Sequence, residues 1–184
     1  MEQVNKSKNE IRKEILSKLN NLDRKKRKLE TDLLISKTLN SEEIIDSVTI
    51  GITLSKYPEV DTHNLINMLW NLGKELYAPV MRLGHRMDFV RLDEHTQFKT
   101  NKFGICEPVW QESKINNQPD VIIVPGVGFS LDNNQRIGFG GGYYDRFLHS
   151  FYGKKISLAL HEQIIYNDKW LIEKTDIPLD KIIY

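Results

Sequence analysis

The stretch RIGFGGGYYD, residues 136–145, places an arginine before four closely spaced glycines and an aspartate after them. Glycine admits positive φ and close approach of a ligand to the backbone. The sequence then turns helical at Tyr143, and free amides at a helix start favour an anion. Arg136 adds a planar cationic fork suited to phosphate. Arg136, Gly138, Gly140, Gly141 and Gly142 together therefore read as a phosphate-binding loop. Asp145 is discordant, because a carboxylate repels phosphate. Either a magnesium ion lies between the two, as Mg²⁺ is commonly held by one or two carboxylates and phosphate oxygens, or Asp145 complements the helix dipole. The spacing is neither G-x-x-x-x-G-K-[ST] nor, from Gly138 to Gly142, G-x-G-x-x-G, which excludes a P-loop and a dinucleotide fingerprint. Gly126 and Gly128 lie just upstream, so six of the 11 glycines fall in one region.

A second group lies near the start. At helical spacing, Lys8 and Arg12 share a side with Ile11, Ile15, Leu19 and Leu22. Cations that extend an apolar stripe are unexpected on a plain surface helix. Either their stems lie along the surface while the charges reach water, or the fold brings an anion to them. The RKKRK run at residues 24–28 reads as a solvated face. Cys106 has no basic or histidine partner nearby in sequence and reads as a structural thiol, and the five histidines show no metal-ligand spacing.

Positioning these residues requires a scaffold. Residues 5–22 read as an amphipathic helix, and residues 23–28 lead into a second carrying Leu29, Leu33, Leu34 and Leu39. A short turn begins at Ser41. Strands are predicted at 48–54, 75–80, 87–92, 120–126, 155–160 and 180–184, and helices at 60–74, with Asp61 or Thr62 at its cap, and 143–151. Residues 93–119 read as irregular. Continuous apolar strands alternating with helices predict an α/β fold: one domain over residues 1–184, three layers, with a mostly parallel central sheet and helices on both faces.

Composition limits the function classes. The net charge of +1 over 184 residues gives no broad field for nucleic acid or an anionic membrane. One cysteine allows no intrachain disulfide. No apolar run approaches the roughly 20 residues of a membrane span. The first residues lack the apolar core of a signal peptide. A cytoplasmic monomer acting on small molecules is expected.

The stretch PGVGFSLDNNQRIGFGGGYYDRFL, residues 125–148, resembles the C-terminal motif of the 5-formyltetrahydrofolate cyclo-ligases, also called methenyltetrahydrofolate synthetases. KNEIR (8–12), YPEVDT (57–62), FGICEP (103–108) and DIPLDKIIY (176–184) continue the resemblance in order. It implies a single-domain enzyme that uses ATP and Mg²⁺ to convert 5-formyltetrahydrofolate to 5,10-methenyltetrahydrofolate, releasing ADP and phosphate. By position, it assigns Lys8, Asn9, Glu10, Ile11 and Arg12, with Arg136, Ile137, Gly138, Phe139, Gly140, Gly141, Gly142, Tyr143 and Tyr144, to ATP. It assigns Glu59, Phe103, Phe139, Gly140, Gly141, Gly142 and Tyr143 to the folate, and Asp145 and Asp176 to the metal. Phe103 would stack on the pteridine or pack in the core. The pattern departs at Gly141, where some members carry lysine. Other classes remain: a non-catalytic nucleotide- or folate-binding module, or a phosphosugar isomerase with a buried acid/base and no ATP.

Overall fold

The computed structural model describes residues 6–102, 104–166 and 170–184. The chain forms α1 (Lys8–Asn21), α2 (Arg24–Leu39), α3 (Glu42–Ile45), β1 (Thr49–Ile52), α4 (His63–Asn71), β2 (Glu75–Met81) and β3 (Met87–Leu92). It continues with β4 (Phe98–Thr100), β5 (Cys106–Pro108), β6 (Val121–Ile123), β7 (Gly128–Ser130), β8 (Arg136–Ile137), α5 (Tyr143–Leu148), β9 (Lys154–Leu158), β10 (Ile164–Ile165) and β11 (Lys181–Ile183).

The main sheet has six strands in the order β11-β9-β6-β1-β2-β3. All neighbours are parallel except β2 and β3. Alternate side chains of each strand enter opposite core clusters. Ile50, Ile52, Val121 and Ile123 pack with Ile11, Ile15 and Leu19 of α1, Leu34 and Ile35 of α2, and Leu65, Ile66 and Leu69 of α4. Ile122, Tyr77 and Ile182 pack on the other face with Phe89, Leu148 of α5 and Phe151. The three layers are thus unequal: four helices line the first cluster, and one short helix serves the second. No helix of the described residues is long and apolar enough to cross a membrane.

Element ends follow local chemistry. α1 starts at Lys8 because Ser7 and Glu10 form a capping box: the Ser7 hydroxyl accepts from the Glu10 amide at 3.3 Å, and the Glu10 carboxylate accepts from the Ser7 amide at 2.8 Å. Asp23 caps α2 by accepting from the Lys25 and Lys26 amides at 3.0 Å, which places the basic run inside the helix. Thr62 is the cap residue of α4, but its hydroxyl is spent on Thr53 O at 2.7 Å, and the Asp61 carboxylate accepts from the His63 amide instead.

Two expectations are corrected. Residues 93–119 are not wholly irregular: β4 and β5 pair as an antiparallel hairpin. A second sheet, β10-β7-β8, was not predicted: β7 and β8 lie between β6 and α5 in the chain's path, and β10 joins them from beyond β9. Its strands are only two or three residues long, too short for alternation to reveal. The NNQ turn joins β7 to β8, with Asn134 at φ 55° and the Gln135 amide bonded to the Asn133 side chain.

Candidate active site

In the main sheet, β1 continues to β2 on one side, whereas β6 continues to β9 and β11 on the other. The chain's direction of travel therefore switches between β1 and β6. Ligands of open α/β sheets bind beyond the carboxyl ends of strands at such a point. The segments leaving those ends hold Glu59 after β1 and the glycine-rich loop after β6.

The β7–β8 hairpin delivers Arg136 into the interior beneath that loop, where it is buried. Its Nη2 donates to Asp145 Oδ1 at 2.7 Å, and its guanidinium carbon lies 5.5 Å from the Tyr144 ring centroid. Two polar atoms here are buried and unbonded: Arg136 Nε and the Tyr144 hydroxyl. Burial lowers the Arg136 guanidinium from its ordinary value, opposed by Asp145, Tyr144 and Asp176. Burial also raises the Tyr144 hydroxyl far above the usual tyrosine range, so it stays a donor. A Cβ at Gly138 would lie 2.7 Å from Arg136 Nη1, so glycine leaves the space the guanidinium fills.

α1 meets the same loop. Arg12 Nε donates to Gly138 O at 2.8 Å, and Asn9 Oδ1 accepts from Arg12 Nη1. Gly140, at φ 93°, lies against that guanidinium. Lys8 Nζ donates to Asp176 Oδ1 and Oδ2 at 2.7 and 2.6 Å, and approaches Glu173 at 3.6 Å. Asp176 is held in turn by the Glu173 amide at 2.8 Å, and its segment is tied to the hairpin by Leu179 N donating to Asn134 O at 2.9 Å. Neither Lys8 nor Arg12 runs out to bulk water.

Glu59 is half-buried, and burial raises its carboxyl from the ordinary value despite the Lys56 amide that donates to it at 3.1 Å. The remaining expected residues divide. Glu10 is occupied by the helix cap, and Ile11 and Ile137 are buried in the core. Phe139 is half-exposed on the loop, Gly141 is exposed, and Tyr143 packs against the second cluster. Phe103 lies outside the described residues.

Several site features escaped the sequence reading. Gly126 and Gly128 serve packing rather than a ligand. A Cβ on Gly128 would lie 2.5 Å from Ile15 Cδ1, so glycine there lets α1 reach the small sheet. Gln163 props the start of the same segment, donating to Gly126 O at 2.8 Å. His85 reaches Gly141 O at 3.2 Å, and Lys56 donates to Gly104 O at 3.2 Å, joining the β4–β5 hairpin to the Glu59 loop. No sequence periodicity joins residues this far apart. Cys106 is exposed on β5.

Fold and site together define an α/β protein whose candidate residues gather at the carboxyl rim of a mostly parallel sheet. The chain belongs to the 5-formyltetrahydrofolate cyclo-ligase family, whose model matches residues 4–184. It is 31% identical over 199 residues to a protein of Caenorhabditis elegans named probable 5-formyltetrahydrofolate cyclo-ligase, covering 100% of this chain and 95% of the relative. It is 33% identical over 150 residues to the Haemophilus influenzae 5-formyltetrahydrofolate cyclo-ligase, covering 79% and 80%. The NMR structure of Aquifex aeolicus 5,10-methenyltetrahydrofolate synthetase superposes with a TM-score of 0.81 at 32% identity, covering 96% of this chain and 88% of that one. The chain is thus a ligase-class enzyme of folate chemistry, which sets aside the non-catalytic module and the isomerase.

Proposed function

We propose that this protein converts 5-formyltetrahydrofolate to 5,10-methenyltetrahydrofolate with Mg²⁺ and ATP, releasing ADP and phosphate. The observation that carries the reading is the pair of buried, unbonded donors, Arg136 Nε and the Tyr144 hydroxyl, set among Lys8, Arg12 and the glycine loop. A buried donor without a partner costs roughly 1–3 kcal/mol, and a phosphate oxygen would satisfy both.

An N-formyl amide is a poor electrophile, and its oxygen is a poor leaving group. The formyl oxygen attacks the γ-phosphorus of ATP, and ADP departs. N10 of the same folate then attacks the formyl carbon and closes the five-membered ring. The N10 proton is lost, and the C–O bond breaks with release of phosphate. Both nitrogens belong to one molecule, so the ligand itself supplies much of the proximity. The protein's work is positioning and charge neutralisation, as in phosphoryl transfer generally. On this reading, Lys8, Arg12, Arg136 and the loop from Gly138 to Tyr144 hold the triphosphate. Glu59 and the Phe139–Tyr143 segment face the folate.

The donor set fits magnesium held with phosphate rather than a cage of protein ligands. Asp145, paired with Arg136, and Asp176, paired with Lys8, are hard oxygen donors, and among the described residues no group of three or more His, Cys, Asp or Glu could hold a metal ion. Bound there, magnesium would neutralise the charge developing on the transferred phosphoryl group. We place the reaction in the cytoplasm, in a monomer. The test mixes protein, Mg·ATP and 5-formyltetrahydrofolate. Methenyl absorbance should appear with one ADP per product, and ATP-independent or absent product would refute the reading.

A further inference from the structure

We propose that Arg146, assisted by His85, fixes the direction of the loop amides at Gly142 and Tyr143, making it a positioning residue for the nucleotide's phosphates. The inference rests on the reading that this loop holds ATP. Arg146 is exposed in α5, and among the described residues no carboxylate pairs with it. Its Nη1 instead donates to Gly142 O at 2.9 Å and Gly141 O at 3.3 Å. A second group reaches the Gly141 oxygen from a different element: His85 Nδ1 lies 3.2 Å from it, with the imidazole 5.3 Å from the Tyr143 ring. His85 sits in a 3-10 turn, Leu83–His85, between β2 and β3, at φ 56°, an uncommon conformation for a residue with a Cβ.

A trans peptide points its carbonyl and the following amide in opposite directions. Anchoring the Gly141 oxygen on Arg146 and His85 therefore turns the Gly142 amide away from both. The Gly142 oxygen accepts from the Arg146 side chain and also from the Arg146 backbone amide at 3.3 Å, so the side chain reinforces the direction that the helix start gives the Tyr143 amide. Gly142 is left-handed, at φ 65°, and successive amides held to one side of such a turn form an anion-binding concavity. Glycine at 142 is part of the device, since a Cβ there would lie 2.6 Å from Arg146 Nη1. Arg146 also brings to the exposed edge of the loop at Gly141 a positive charge that no carboxylate among the described residues pairs with.

The variants are Arg146→Met, which keeps the stem without the donors, Arg146→Lys, His85→Ala and the Met/Ala double. In the ligand-free protein, the Gly142 and Tyr143 amide resonances should shift and broaden in Arg146→Met while those of the central sheet stay in place. Calorimetry should show affinity for Mg·ATP falling about tenfold, the scale of one lost charge-assisted hydrogen bond, with Arg146→Lys recovering part of it. In turnover, KM for ATP should rise by a similar factor, and by more than KM for the formylated folate, which the same loop faces. The double variant should lose less than the sum of its parts, because both side chains anchor one oxygen. Unchanged loop resonances, unchanged ATP affinity, or a uniform loss of stability with no change in the ATP terms would overturn the inference and leave the function standing. A wild-type protein that forms no ATP-dependent product would overturn the function, and this inference with it.

Discussion

Arg136 is buried, charged and only partly satisfied, and its neighbours explain why that is tolerated. Asp145 takes one nitrogen, and Asp176 adds attraction from further off. Asp145→Asn keeps an acceptor for Arg136 but removes the charge available to a metal. It should lower kcat at least about 100-fold, an electrostatic loss of the size seen when one charge-stabilising group is removed, with circular dichroism unchanged. Near-normal turnover would exclude the metal role. Glu59 makes a pH argument. Burial raises its folded carboxyl above the unfolded value, so the folded state binds the proton more tightly. Its contribution to stability is therefore most favourable below the unfolded value, and is lost as pH rises through the folded one. Glu59→Gln should melt higher than wild type at pH 7, the gap closing under acid, while KM for the folate rises. A variant that melts lower at pH 7 would contradict the burial argument.

At the scale of elements, α1 is the piece that carries Arg12 to the loop and Lys8 to Asp176. Its first turn depends on the Ser7–Glu10 box. Ser7→Ala should cost about 1 kcal/mol in urea melts and should also raise KM for ATP, because Lys8 and Arg12 sit in the turns that would fray. A stability loss without a nucleotide effect would separate α1 from the site. The helices were legible because their periodicity is local, and the main strands because their apolar runs are continuous; the cations of the Lys8–Arg12 stripe meet Asp176 and the Gly138 carbonyl. The β7-β8-β10 sheet was not legible, since its strands of two or three residues lack the continuous apolar run that marks β6. The purpose of Gly128 was equally hidden, because Ile15, which needs its space, lies more than a hundred residues away.

At the scale of the molecule, the order β11-β9-β6-β1-β2-β3 sets the switch point between β1 and β6. No single stretch of sequence encodes that order. The motif around Arg136 could be read as a phosphate loop, but which residues oppose it follows only from the reversal between β1 and β6. A ligand that binds the folded state alone stabilises it by mass action, about 2.7 kcal/mol at a hundredfold excess over Kd. Mg·ATP should therefore raise the melting temperature, and ATP with EDTA should raise it less. Equal shifts would mean that the nucleotide binds without help from the metal.

The most direct measurement follows the formyl oxygen itself. 5-Formyltetrahydrofolate labelled with ¹⁸O in the formyl group is turned over with Mg·ATP, and the released phosphate is analysed by mass. Transfer of the phosphoryl group to that oxygen predicts one ¹⁸O in each phosphate formed. Methenyl product accompanied by unlabelled phosphate would contradict it.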